Sequence, residues 1–198
     1  MSTQPIPART AEEYLAFERA SEERHEFVNG QIRLMSGASR AHNLIAMNLS
    51  GLVHAQLKGR PCEAYSVDMR VKIAEDGRYT YPDMAVVCDE PEFEDAVFDT
   101  LLNPNALVEI LSPSTGDYDR GEKFASYRNL TSLREYVLIS QHRPQVEHFV
   151  RLGDGGWRFS PTEGADGLVQ LVTAEIQLPL AELYDKVRFD TDGEPKTN

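Results

Sequence analysis

Glu109 is the only polar residue in ALVEIL, residues 106–111, a run that otherwise reads as a strand buried on both faces. A carboxylate buried without a partner is costly, so the pattern predicts a cation that meets it. Asp83 raises the same question. It follows Pro82 within a second apolar stretch, TYPDMAVV. Proline cannot donate to a β-ladder, so an irregularity is expected where that acid sits. Were the two strands neighbours, both carboxylates would reach one hard cation. Magnesium takes one or two carboxylates, waters and phosphate oxygens. Lys123 is the third candidate, because Asp119, Lys123 and Tyr127 recur every four residues on one face of a helix. That helix follows the loop Ser112-Pro113-Ser114-Thr115-Gly116, which leaves ALVEIL. Its face can turn back over the strand end, where the ammonium could orient a water or neutralise charge developing on a phosphate.

Each residue also has a plainer reading. Glu109 could be a structural acid paired with an arginine or with Lys123, and Asp83 could cap a bulge. Lys123 could form an exposed i,i+4 pair with Asp119, worth about 0.5 kcal/mol. Asp68, Arg70 and Lys72 form the open side of an alternating strand and read as solvated or phosphate-facing. His142 and His148 share strand parity, but two histidines without a third ligand make a poor zinc site. LSPST lacks the G-x-S-x-G of a nucleophile elbow. GDGG at 153–156 lies between strand-like segments and lacks the lysine and helix of a P-loop, so it reads as a hairpin turn.

The elements that must position these residues follow from spacing. Thr10 caps a helix over roughly 11–22, with Glu13 completing a capping-box pattern. Asn29-Gly30 between short apolar runs predicts a hairpin. Ser39 opens a helix to about Lys58, ended by Gly59 and Pro61, with Ile45, Leu49, Leu52 and Val53 on one face. His42 lies one turn before Ile45 on that face, where a satisfied core histidine is the plain alternative to a site residue. Alternation from Tyr65 to Ile73 predicts one half-buried strand, and Tyr79 to Val87 an antiparallel return after Asp76-Gly77. A helix over 119–130 and a strand over 135–140 (EYVLIS) come next. A β meander then closes one side, and residues past 190 read as a frayed tail. The expectation is one domain over 1–190 and a disordered tail over 191–198.

At 198 residues, 41% hydrophobic and 26% charged, the chain can bury a core without covalent help. Cys62 and Cys88 stand apart from any cluster, so a disulfide is not expected, and reduced thiols in a soluble cytoplasmic protein are the default. No apolar run approaches the ~20 residues of a membrane span. The net charge of −12 is awkward for a nucleic-acid ligand. Residues 89–100, DEPEFEDAVFDT, contribute −6 and residues 11–27 contribute −4, so most of the excess can sit away from a site.

RHEFVNGQI, Ala41-His42, YPDMAVV, LVEILSPST, DRGEKFASYRNL and EYVLIS together resemble the Uma-two restriction-endonuclease family, a branch of the PD-(D/E)XK nuclease superfamily. The resemblance covers most of the chain; LVEILSPST followed by D-x-x-x-K is its more specific part. It implies an α/β (α+β) fold with a restriction-endonuclease-like αβββαβ core, an N-terminal helix–hairpin and a C-terminal β meander. It also implies that Asp83 is the P-D aspartate and Glu109 the acid of (D/E)XK. Leu111 occupies the superfamily's lysine position, and the family pattern moves that lysine to the following helix, here Lys123. Glu26 matches the family's early glutamate and His42 its helix histidine, both expected at the site without an assigned role. By the same analogy the carbonyl of Ile110 joins Asp83 and Glu109 as a metal ligand. The implied activity is Mg2+- or Mn2+-dependent endonucleolytic hydrolysis of nucleic acid, DNA before RNA, by a homodimer without membrane attachment. The alternatives are a catalytically silent binding or regulatory module, and a metal enzyme for a smaller phosphorylated substrate.

Overall fold

The computed structural model describes residues 6–7, 10–66, 68–74, 77–112 and 116–189. The expected tail over 191–198 lies outside them. The chain opens with β1 (Ile6–Pro7) and α1 (Ala11–Ala20), where the Thr10 hydroxyl accepts from the Glu13 N–H at 3.2 Å. β2 (His25–Val28) and β3 (Gln31–Leu34) form the Asn-Gly hairpin, with Asn29 at φ 52° and Gly30 at φ 75°. Positive φ at both central residues matches the twist of the flanking strands, and glycine meets that demand without strain. α2 (Arg40–Leu57) is capped by Ser39, whose hydroxyl accepts from the His42 N–H. It buries Ile45, Leu49, Val53 and Leu57.

The next four strands differ from the expectation of two long ones. Tyr65 to Ile73 divides into β4 (Glu63–Ser66) and β5 (Arg70–Ile73). Tyr79 to Val87 divides into β6 (Arg78–Thr80) and β7 (Met84–Val87), with Tyr81-Pro82-Asp83 between them. β4 pairs with β7 in one sheet, and β5 with β6 in another. Proline cannot continue a ladder, and at Pro82 the chain changes sheets rather than bulging within one. The alternation also misplaces Arg70, which is buried and ion-paired to Asp99 at 2.8 Å rather than solvated. Lys72 is tied to Glu94 and Asp68 to Arg24.

The cysteines require a further correction. Cys62 and Cys88 are joined by a disulfide. The β4–β7 register sets Glu63 opposite Val87, so Cys62 and Cys88 face each other as the next cross-strand pair. Their separation of 26 residues conceals this.

β8 (Thr100–Leu101) pairs parallel with β5, completing the sheet order β1-β3-β2-β6-β5-β8. β9 (Ala106–Leu111) is followed by α3 (Gly116–Tyr118), a π-helical turn (Asp119–Lys123) and α4 (Phe124–Tyr127). This helix was expected over 119–130; it begins and ends three residues earlier and carries a π turn. β10 (Glu135–Ser140) runs parallel to β9, while β11 (Gln145–Arg151) and β12 (Trp157–Glu163) extend the sheet as antiparallel neighbours. The second sheet thus runs β12-β11-β10-β9-β7-β4. Gly155, at φ 85°, stands in the turn between β11 and β12. A separate hairpin, β13 (Leu168–Leu171) and β14 (Ile176–Pro179), leads into α5 (Leu180–Leu183).

Two cores flank the second sheet. Ala106, Val108 and Ile110 pack with α2, β13, β14 and α5 on one side. Leu107 and Leu111 pack with Val71, Ile73, Tyr127 and Tyr136 on the other. Each fully buried Leu or Ile contributes about 1.5–3 kcal/mol. Both faces of β9 are therefore dry, which is why ALVEIL shows no alternation. Among the described residues, no helix is long and apolar enough to cross a membrane.

Candidate active site

Glu109 lies on the β9 face that carries Leu107 and Leu111, under the π turn. Its Oε1 is 2.9 Å from the Lys123 ammonium and accepts from the Tyr127 hydroxyl at 2.8 Å. Lys123 is itself buried, and it reaches Glu26 Oε1 at 3.0 Å and Asp119 Oδ1 at 3.7 Å. It is no exposed i,i+4 pair: the π turn and β2 enclose it. Glu26, expected at the site by family resemblance, has 12% of its side chain exposed and is a second carboxylate partner of Lys123.

Asp83 stands beside this cluster. The β7–β9 register, Met84 opposite Val108, makes Asp83 the next residue opposite Glu109. Its Oδ2 accepts from the Ile110 N–H at 2.6 Å and its Oδ1 faces His42 Nε2 at 3.1 Å. His42 therefore reaches across from α2 to the acid rather than closing within the helix core. The two strand acids are thus held differently, Asp83 by a backbone amide and an imidazole, Glu109 by a buried ammonium and a phenol.

The electrostatics follow from one imbalance. Glu109, Glu26 and Asp119 surround a single lysine, and Asp83 adds a further negative charge nearby. Burial pushes the Glu109 carboxyl well above the usual carboxylate range; Asp119 and Asp83 add to the rise, against Lys123. Burial alone would depress Lys123, but Glu109 and then Glu26 outweigh it and hold the ammonium well above the ordinary lysine value. Glu109 thus binds its proton tightly chiefly because it is buried, and Lys123 because the carboxylates around it outweigh burial. Tyr118, just before the π turn, has its hydroxyl pushed up to about 12, first by burial and then by Glu26.

All five candidate side chains, Asp83, Glu109, Lys123, Glu26 and His42, thus form two contiguous groups joined through the β7–β9 pair, and Ile110 links them through its amide. His142 and His148, noted for their shared strand parity as a poor zinc pair, have separate surroundings. His148 lies on β11 and pairs with buried Glu135 at 2.7 Å, whereas His142 lies in the connection before that strand. Sequence spacing placed Tyr127 on the Lys123 face without a role, and missed Thr80 altogether. Thr80 Oγ1 is 3.0 Å from the Tyr127 hydroxyl. A buried threonine in an apolar strand is unremarkable by pattern, so nothing local marks it.

Residues 11–181 match the family Uma2, described as "Putative restriction endonuclease". The chain belongs to the Uma2 family. Among curated relatives, the uncharacterized protein sll1609 of Synechocystis sp. is 38% identical over 161 residues, spanning 81% of this chain and 91% of that protein. The uncharacterized protein slr1290 of the same organism is 37% identical over 185 residues, spanning 93% and 96%. A crystal structure from Anabaena variabilis, described as "a putative nuclease belonging to DUF820", superposes with a TM-score of 0.74. It shares 18% identity and covers 89% of this chain and 98% of its own. The Uma2 chain accordingly has the α+β, restriction-endonuclease-like fold that its motifs imply.

Proposed function

We propose that this Uma2 chain is a divalent-metal-dependent endonuclease that hydrolyses phosphodiester bonds in nucleic acid by attack of water. The observation that carries this reading is the buried lysine outnumbered by carboxylates, Glu109, Glu26 and Asp119, with Asp83 opposite Glu109 in register. A desolvated surplus of negative charge favours a second cation. The donor set fits a hard one. Asp83 and Glu109, with the Ile110 carbonyl, offer only oxygen. Among the described residues, no three His, Cys, Asp or Glu side chains are grouped as a metal cage. Two carboxylates with a carbonyl suit magnesium or manganese, which complete their shell with waters, rather than structural zinc.

Bound there, magnesium or manganese would supply Lewis acidity toward water and a phosphoryl oxygen. The protein's own groups divide the remaining work. Lys123 stays protonated, so it serves as a hydrogen-bond donor and fixed positive charge rather than as a base. Glu26 is a second carboxylate anchor for that ammonium. His42 and the Ile110 N–H orient Asp83. Tight proton binding at Glu109 means that metal must compete with a proton there.

The test is cleavage of duplex DNA, single strands and RNA with magnesium or manganese, comparing wild type with Asp83→Ala, Glu109→Ala and Lys123→Ala. Metal-dependent cutting is expected, with each variant losing about 100-fold or more. Metal binding without cleavage of any nucleic acid would favour a smaller phosphorylated substrate. Absence of metal binding would leave the catalytically silent binding module.

A further inference from the structure

Tyr127 is fully buried one turn after Lys123, and its hydroxyl touches two polar groups from two sheets. It lies 2.8 Å from Glu109 Oε1 on β9 and 3.0 Å from Thr80 Oγ1 on β6. Tyr127 donates its one hydroxyl proton to Glu109, so Thr80 is the donor to Tyr127. The same Oε1 takes the Lys123 contact at 2.9 Å. Two donors therefore converge on Oε1 of Glu109. Thr80 is also the last residue of β6, immediately before Tyr81-Pro82-Asp83, so the hydroxyl pair ties Glu109 to the segment that delivers the other acid. The ring is held independently, edge-on to Tyr136 with centroids 5.4 Å apart.

We propose that Tyr127 and Thr80 are positioning residues that pin Glu109 through Oε1 and so present Oε2 to the divalent ion. The inference rests on the metal-dependent reading above. Ligating carboxylates are commonly oriented by such outer hydrogen bonds, whose loss costs about 10–100-fold in metal affinity. Tyr127→Phe removes only the hydroxyl and keeps the ring, while Thr80→Val removes the donor behind it and Thr80→Ser keeps one.

Isothermal titration with Mn2+ in the absence of nucleic acid, alongside circular dichroism and thermal melts, tests the role. Tyr127→Phe is expected to fold and to bind Mn2+ about tenfold more weakly or worse. Thr80→Val should lose affinity in the same direction by less, and Thr80→Ser should bind as wild type. In cleavage assays the Tyr127→Phe defect should shrink as Mn2+ is raised, which a purely structural defect would not do. Folded Tyr127→Phe with wild-type Mn2+ affinity overturns the proposal. Should Tyr127→Phe fail to fold, the Thr80 pair decides by the same readout: equal affinity in Thr80→Val and Thr80→Ser overturns it. A folded wild type that binds no Mn2+ overturns the metal reading itself, an outcome distinct from both.

Discussion

At the scale of single residues, the site is a charge imbalance kept dry. Glu109 holds its proton more tightly folded than unfolded, so this group's contribution to stability is full below its unfolded pKa and is lost as pH rises through its raised folded value. Glu109→Gln imitates the protonated acid. Thermal melts across pH should therefore show this variant at least as stable as wild type at neutral and alkaline pH, with the advantage shrinking in acid. A wild type that gains on the variant as pH rises would contradict the buried, proton-binding Glu109. Lys123→Met removes the ammonium but leaves three carboxylates behind it. It should cost about 3–5 kcal/mol by urea unfolding, because removing one partner leaves buried charge uncompensated. A loss below 1 kcal/mol would mean that Lys123 is far better solvated than its burial shows. Glu109 thus sets stability against activity, whereas Lys123 serves both.

At the scale of elements, two local interruptions deliver the site. The π turn Asp119–Lys123 places an extra residue in the helix where it crosses β9, and such turns recur at functional positions. The break at Tyr81-Pro82-Asp83 releases Asp83 from regular pairing, so its carboxylate can take the Ile110 amide and face His42. Beyond that break, β7 is clipped to the edge strand β4 by Cys62–Cys88. Closing a loop of this length is worth about 3 kcal/mol in the chain-entropy account. Cys62→Ser/Cys88→Ser, or reduction of wild type, should accordingly lower the melting temperature by roughly 6–12 °C for a chain of this size. Identical calorimetric melts for oxidised and reduced protein would remove the disulfide from the stability of this edge.

At the scale of the whole molecule, the charge of −12 is not spread evenly. The acidic stretch 89–100 is tied to the fold by ion pairs: Asp99 takes Arg19 and Arg70, Asp95 takes Arg19, and Glu94 takes Lys72. Arg78 is tied to Glu122 beside the site. Strand cations that alternation offered to phosphate are thereby spent on carboxylates, and few phosphate contacts are expected. Fluorescence anisotropy with labelled DNA in calcium should show affinity falling about ten- to a hundredfold between 50 and 200 mM salt. That is less than the thousandfold or steeper loss of proteins that make 6–10 phosphate contacts. A loss of that steeper kind would show that a basic surface outside these pairs dominates binding.

Local chemistry made much of this legible in advance. Thr10 and Ser39 cap helices by bonds spanning three residues, Asn29-Gly30 turns a hairpin by its own φ preferences, and ALVEIL and EYVLIS are strands because uninterrupted apolar runs must be dry on both faces. Glu109 and Asp83 stood out for the same reason, as carboxylates in apolar strands, and the family motifs marked Lys123, Glu26 and His42. What tertiary structure alone decided depends on pairing across tens of residues. The division of two strands between two sheets, the meeting of Cys62 with Cys88 and the burial of Arg70 against Asp99 are register effects with no local signature. So is the convergence of Lys123, Tyr127 and Thr80 around one carboxylate. The sequence by itself determined which acids needed an explanation; only the packing of β9, β6 and the π turn decided what surrounds them, because burial and charge balance belong to the assembled fold rather than to any segment.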